Sequence, residues 1–266
     1  MEKVNQLWAK TNRWHRGLFL FILVELRIFP GGQVGFECND PNLSHPYTGD
    51  TISWKVLFIT TMVLPLIFML IVERKYHADK STHPKTQVLC WYKEYLFGFL
   101  LNLIVVQVLK LLVGSPRPHF FETCDPKELA TCKGSEYVSS YTCNKAHWLS
   151  QSDRSFPSGH TSLAVHAGFF VAYYLHRRTS CSQRLNAVTV LQVICVVTAI
   201  FCGVSRIMDH RHHWWDVLAG AVIAAPILVY TIKTLCSDFE CLDNEPSEKT
   251  LVTESSEIPL IDTKET

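Results

Sequence analysis

From Ile52 to Val72, from Tyr95 to Val113 and from Val217 to Cys236 the chain is almost continuously apolar. Each stretch has the roughly 20 residues that a membrane-spanning helix needs. Ser162 to Leu175 and Ala187 to Val204 are slightly short, and reach that length once their polar ends are added, because neighbouring helices can cover such ends. Gly17 to Phe29 is the weakest stretch, since it contains Glu25 and Arg27, although Trp14 and Arg16 beside it have the character of interfacial anchors. The same two charges, with no small-residue cleavage pattern after them, argue against a signal-peptide core. The pattern predicts an all-α integral membrane protein with six transmembrane helices, at about 17–29, 52–72, 95–113, 162–175, 187–204 and 217–236. Residues 1–16 then form a cytosolic N-terminus, 17–236 the six-span domain, and 237–266 an acidic cytosolic tail read as disordered.

Charge placement orients this bundle. Lys3, Lys10, Arg13 and Arg16 precede the first span; Arg74, Lys75, Lys80, Lys85 and Lys93 follow the second; Arg177, Arg178 and Arg184 follow the fourth. The loop after the first span has neither Lys nor Arg between Ile28 and Thr51, so the positive-inside rule places loops one, three and five outside the cytosol. Loop three runs against the rule, carrying Lys127, Lys133, Lys145 and Arg154, in a loop long enough for the rule to lose force. Asn42-Leu43-Ser44, a glycosylation acceptor pattern, lies in loop one and makes Asn42 the expected attachment site. Of the ten cysteines, Cys38, Cys124, Cys132 and Cys143 fall in outer loops, where an oxidising compartment permits disulfides. Cys132 with Cys143 is the first pairing expected, because both sit in one loop, but four cysteines allow three pairings and spacing does not choose among them. Cys90, Cys181, Cys236 and Cys241 lie at cytosolic edges, where palmitoylation and ordinary thiols are both open readings.

Composition agrees with a membrane protein: of 266 residues 48% are hydrophobic and only 18% charged. A net charge of +1 lacks the basic excess of a nucleic-acid binder, so an anion handled here must meet locally placed cations. Three polar clusters at span ends supply them. Lys110 is followed by Gly114-Ser115-Pro116-Arg117-Pro118, so two cations emerge where the third span breaks. Taken alone they read first as a snorkelling lysine and an arginine binding lipid phosphate. Ser155-Phe156-Pro157-Ser158-Gly159-His160 leads into the fourth span; its serine and proline mark a helix start, whose free N–H groups and positive dipole end favour an anion. Capping explains the serine but not His160. Between the fifth and sixth spans runs Ser205-Arg206-Ile207-Met208-Asp209-His210-Arg211-His212-His213-Trp214-Trp215-Asp216. If His212 opens the last helix, the spacing of four puts Asp216 on its face, where the carboxylate can orient the ring as an unprotonated nucleophile. All three clusters border odd-numbered loops and so share one face. Cations at Lys110, Arg117 and Arg206, imidazoles at His160 and His212, a helix N-terminus and one orienting carboxylate describe a phosphate-ester site.

Lys110 to Pro118 matches K-x6-R-P, Pro157 to His160 is P-S-G-H, and Ser205 to Asp216 matches S-R-x5-H-x3-D. Together, in this order, they resemble the three-part signature of the type 2 phosphatidic acid phosphatase superfamily. Resemblance to its lipid phosphate phosphatase branch extends to Gly35-Phe36-Glu37-Cys38-Asn39-Asp40 with Pro46-Tyr47, and to Pro118-His119-Phe120 with Cys124-Asp125-Pro126. The resemblance implies a multi-pass membrane phosphatase, with no cofactor and no metal, acting on phosphatidate, lysophosphatidate, sphingosine 1-phosphate or ceramide 1-phosphate. It implies that His212 attacks phosphorus, Asp216 orients it and His160 protonates the departing alkoxide. Lys110, Arg117, Ser158, Gly159 and Arg206 would hold the phosphoryl oxygens, and the active face would be extracellular or luminal. No catalytic position of the signature is substituted, which argues against the catalytically dead relatives.

Two other readings carry weight beside this one. The shared motifs describe the phosphate and not its leaving group, so a polyprenyl pyrophosphate or sugar phosphate is an alternative substrate, and a lipid-binding scaffold is a non-enzymatic one. A metal site at His210 to His213 is disfavoured, because a bound metal would repel Lys110, Arg117 and Arg206. The expected partners are lipid phosphates in the bilayer and the membrane itself, with no nucleic acid; self-association into a homo-oligomer is left open. With no ER-retention ending, the plasma membrane is expected ahead of ER or Golgi.

Overall fold

The computed structural model describes residues 2–26, 28, 31–76, 84–179 and 186–240. Arg27, Lys80, Cys181, Arg184, Cys241 and the rest of the acidic tail lie outside the described residues. The long helices are α1 (Glu2–Glu25), α2 (Trp54–Tyr76), α3 (Pro84–Val113), α6 (Gly159–Arg178), α7 (Asn186–Met208) and α8 (Trp214–Tyr230). Between α3 and α6 run the short α4 (Phe120–Cys124) and α5 (Leu149–Ser152). A two-stranded antiparallel pair joins β1 (Phe36–Glu37) to β2 (Tyr137–Val138). Among the described residues four helices are long and apolar enough to cross a membrane: Trp54–Lys75, Thr86–Val113, Ala187–Met208 and Trp214–Leu235. The chain is an all-α membrane protein.

The two remaining long helices carry polar residues that their neighbours satisfy. α6 packs against α2, α3, α7 and α8, so most of its surface meets protein. That position tolerates the fully buried Ser162, whose hydroxyl donates to Asn102 Oδ1 at 2.7 Å while Asn102 Nδ2 returns a bond to Ser162 O at 3.2 Å. On α1, which lies along α3, Arg13 pairs with Glu94 at 2.6 Å and Glu25 accepts a hydrogen bond from Gln107. The charge at Glu25 that weakens the first apolar stretch in sequence is thus answered from α3. α3 likewise begins at Pro84, well before the apolar run, because Gln87 and Glu94 are buried among helices. At the far end of α6, Arg178 pairs with buried Glu73 of α2 at 2.7 Å, and Tyr174 donates to the same carboxylate at 2.8 Å. The core above this clasp is aromatic, with the Tyr95 and Phe170 rings 4.5 Å apart.

Over the other end of α6, the segments 31–53 and 114–158 pack on each other around Phe36, Leu43, Phe120, Cys124 and Tyr141. Here the first expected disulfide is corrected: Cys38 pairs with Cys132, and Cys124 with Cys143. The β1–β2 pairing brings the residue after Glu37 beside the turn that precedes Tyr137, with Cys38 N donating to Glu136 O at 2.9 Å. A bridge between Pro126 and Cys143, followed by Lys145 N to Cys124 O at 3.2 Å, aligns the second pair. Both bonds follow long-range backbone pairing, which loop membership in the sequence does not encode.

Candidate active site

α3 carries Lys110 in its last turn and is stopped by Gly114, whose φ of +60° and close approach to the Gly32 carbonyl leave no room for a Cβ. The chain then runs beside the segment leading into α6: Arg117 N donates to Ser152 O and Ser155 N to Ser115 O, each at 2.9 Å. This alignment focuses two buried cations on one carbonyl, with Lys110 Nζ at 3.4 Å and Arg117 Nη2 at 3.2 Å from Arg154 O. Ser158 caps α6, its hydroxyl oxygen accepting from Thr161 N at 3.4 Å. At Gly159 a Cβ would stand 3.8 Å from Lys110 Nζ, so the lysine ammonium lies beside the opening turn of α6. Helix start and lysine together offer backbone N–H groups, a dipole end and a full charge to one anion.

The α7–α8 connection supplies the rest. Arg206, in the last turn of α7, is fully buried; its Nη1 donates to Asp50 Oδ1 at 2.8 Å and its Nη2 to Asp209 Oδ2 at 2.6 Å. Arg206 O accepts from Arg211 N at 3.0 Å and from His212 N at 3.2 Å, folding the connection back on the arginine. The last helix starts at Trp214 with His213 as its N-cap, so His212 precedes the helix instead of opening it. His212 and Asp216 still meet, by a different device from the expected shared helix face. Asp216 occupies the third helical position and reaches back as the acid of a capping box, accepting from His213 N at 2.9 Å. That places Asp216 Oδ2 3.7 Å from His212 Nδ1 and 3.4 Å from His213 Nδ1. The 3.7 Å separation is longer than a hydrogen bond, and His212 Nδ1 and Asp216 Oδ1 have no hydrogen-bond partner. Ser155 Oγ donates to the same carboxylate at 2.5 Å and Ser158 N to Asp216 O at 2.9 Å, which locks the α6 start to the α8 start.

Burial, reinforced by Arg117 and Lys110, holds His212 well below the usual imidazole range against the opposing pull of Asp216, so the ring is neutral and can act as a nucleophile. The charges bearing on His160 are Arg206, Lys110 and Arg117, opposed by Asp50; its ring shares two cations with His212, and its Nε2 is buried without a partner. Burial and then the nearby Arg211 push Arg117 down to about 9, so it remains a cation at neutral pH.

All eight residues expected to act on phosphate lie in this cluster or on the turns that build it. Asn42 lies apart, exposed in the Pro41–Leu43 turn, where it bonds Asp40 Oδ1. Four contributors escaped the sequence reading. Ser155 and Asp209 are local, and the need of a buried Arg206 for a counter-ion could have pointed to Asp209 three residues on. Asp50 comes from the segment before α2 and also pairs with Arg211 Nε at 3.0 Å, which only the tertiary fold reveals. Arg211 in turn lies 3.2 Å from His119 Nε2. Burial, then Arg117 and Arg211, lower His119 to about 3, and since Thr123 Oγ1 donates to His119 O, Nδ1 carries the ring proton and Nε2 accepts from Arg211. Among the described residues no group of three or more His, Cys, Asp or Glu is arranged to hold a metal ion.

Gly220 of α8 touches the Ser158 carbonyl so closely that a Cβ there would overlap it. Gly220→Ala is therefore expected to push the α6 start away from Asp216. Phosphatase activity should fall by on the order of 10-fold or more, the scale of an ångström-level misplacement, while helical content stays at wild-type level by circular dichroism.

The PAP2 superfamily matches residues 91–235, a range containing all three motifs and every catalytic candidate. The chain is 30% identical over 220 residues to a putative phosphatidate phosphatase of Drosophila melanogaster, an alignment covering 72% of this chain and 58% of that protein. It is 27% identical to phospholipid phosphatase 2 of Mus musculus, covering 83% and 82% of the two chains, and 27% identical to phospholipid phosphatase 1 of Rattus norvegicus, covering 86% and 84%. With the family matched over more than half of the chain, the protein belongs to the PAP2 superfamily, as a phosphatase of its lipid phosphate phosphatase branch.

Proposed function

We propose that the protein is a metal-independent lipid phosphate monoesterase that works through a phosphohistidine. The observation that carries this reading is the meeting of neutral His212, its carboxylate partner Asp216 and the cations Lys110, Arg117 and Arg206 around the first turn of α6. In the first step His212 Nε2 forms a bond to phosphorus, the P–O bond to the lipid breaks, and His160 gives its proton to the departing alkoxide. In the second, His160 takes a proton from water, the hydroxide attacks phosphorus, the P–N bond breaks and inorganic phosphate leaves. Lys110, Arg117 and Arg206, with the N–H groups at Ser158 and Gly159, stabilise the charge on the equatorial oxygens, so the cations do the work that a metal does in other phosphoryl transfers.

The substrates are phosphatidate, lysophosphatidate, sphingosine 1-phosphate or ceramide 1-phosphate, presented by the bilayer. α1 and α6 complete six spans around the four strongly apolar helices. The site then opens on the extracellular or luminal face, at the plasma membrane ahead of ER or Golgi. Two paired disulfides beside the site and the exposed Asn42 support an oxidising, glycosylating compartment on that face. The test is phosphate release by the purified protein in detergent, with excess chelator, from short-chain phosphatidate, glucose 6-phosphate and a polyprenyl pyrophosphate. Phosphatidate should be the preferred substrate and chelation without effect. Preference for either other ester, or loss on chelation with recovery on adding Mg²⁺ or Zn²⁺, would overturn the assignment.

A further inference from the structure

α2 and α7 each pack on α6 but scarcely touch one another, and between them lies a half-enclosed cavity of about 300 Å³. α6 forms its floor with Ala164, Ala167, Gly168 and Val171, a stripe of small or short side chains spaced three, four and seven residues apart on one helix face. The stripe begins one turn below His160. Two contacts join the upper end of the cavity to the phosphate site. Cys202, which lines it, places its thiol 3.8 Å from His160 O. Ile52, which also lines it, follows Thr51, whose N–H and hydroxyl both donate to Asp209, the partner of Arg206. From His160 to Val171 the helix rises roughly 16 Å, and Phe68 of α2 lines the cavity as well.

The lining is chemically selective. Its polar side chains include Thr60, Thr61 and Thr198, whose hydroxyls donate to the carbonyls of Val56, Leu57 and Ile194 of their own helices at 2.8, 2.8 and 2.9 Å. They turn satisfied groups to the cavity and ask for no polar ligand. A dry space of this size forfeits dispersion contacts unless something apolar fills it. The flanking helices also expose Ile59, Val63, Val197 and Phe201, so the open side is a hydrocarbon surface.

Resting on the proposed lipid phosphatase function, we infer that this groove holds one hydrocarbon chain of the substrate lipid, running down the Ala164–Val171 stripe from a phosphate seated at the start of α6. The groove is then the element that recognises a lipid leaving group, while the cation cluster recognises phosphate alone. Binding energy from the chain positions the ester oxygen for His160, which a soluble phosphate ester cannot draw on.

The experiment compares dioleoylphosphatidate in mixed micelles at fixed mole fraction with nitrophenyl phosphate, using Ala167→Phe, Thr198→Phe and a control, Ile200→Phe, on the exposed side of α7 outside the lining. Either groove variant should lower kcat/KM for dioleoylphosphatidate by on the order of 10- to 100-fold, the effect of displacing a few buried methylenes, while nitrophenyl phosphate stays within about twofold. The control should match wild type on both. The two variants sit on different helices, so a folding defect in one leaves the other decisive. Unchanged lipid kinetics in a folded variant, or equal loss on both substrates, would overturn the groove assignment. A wild-type protein that hydrolyses nitrophenyl phosphate but no lipid phosphate would overturn the parent function as well, and is told apart by the absence of lipid turnover before any substitution.

Discussion

His212→Ala should form no acid-labile phosphoenzyme and should lose hydrolysis of phosphatidate and nitrophenyl phosphate alike, by on the order of 10⁴- to 10⁶-fold, as removal of a covalent nucleophile does elsewhere. The expectation rests on a neutral imidazole, His212, lying beside a carboxylate and a group of cations. His213 lies nearer to Asp216 in distance, 3.4 Å against 3.7 Å, and so is the rival candidate. It is disfavoured because it caps α8, and its ring stacks on Trp215 with centroids 4.4 Å apart, a structural engagement that turns it away from attack. His213→Ala should therefore leave phosphoenzyme formation intact, since the bond from its backbone N–H to Asp216 does not need the ring. The measurement is acid-quenched labelling with radioactive phosphate ester on detergent-solubilised protein whose melting profile has been checked. Label retained in His212→Ala would refute the nucleophile assignment.

Much of the fold is written in composition that physics reads locally, and the rest depends on contacts that no window of sequence contains. The stretches around residues 52–72, 95–113, 187–204 and 217–236 became α2, α3, α7 and the α8 region because a lipid-facing helix must be apolar over its length. α6 reads weakly for the opposite reason: surrounded by four helices, it can bury Ser162 and His166 and needs no lipid-facing surface. The candidate site was legible as residue types, since cations, imidazoles and a helix start at span ends have few uses other than an anion. How Asp216 meets His212 was not. Spacing suggested one helix face, whereas the chain uses a capping box that turns the carboxylate back toward a residue before the helix. Asp50 was invisible because its partners Arg206 and Arg211 lie more than 150 positions away in the chain. Disulfide pairing failed on the same ground, since Cys38 and Cys132 are 94 residues apart and are joined by a strand pair of two residues each.

Asp50 and Asp209 also bear on the chemistry. Each takes one terminal nitrogen of Arg206, so the guanidinium is held between two carboxylates. Such a clamp lowers the cost of ordering the arginine at the moment of reaction and keeps a buried cation paired before substrate arrives. The segment carrying Asp50 leads straight into α2, a wall of the apolar groove, so phosphate site and groove share their support.

His160→Ala should divide substrates by their leaving group. A lipid alkoxide departs poorly without a proton, and general acid catalysis is typically worth about 10² to 10⁴ in rate, so phosphoenzyme formation from phosphatidate should fall by that order. A nitrophenolate needs little such help, and the same variant should keep most of its phosphoenzyme formation from nitrophenyl phosphate. In the proposed mechanism breakdown of the phosphohistidine also uses His160, now as the base that takes a proton from water, so the variant should release nitrophenolate in a burst and then turn over slowly. His160 is placed for both proposed tasks, since it follows Ser158 and Gly159 at the start of α6, leaves its buried Nε2 unpartnered, and lies under the charges of Arg206, Lys110 and Arg117. Rapid-quench kinetics with both esters separates the two steps. Equal losses on phosphatidate and nitrophenyl phosphate in a folded variant, with no burst, would assign His160 to phosphate binding and leave the proton to another donor.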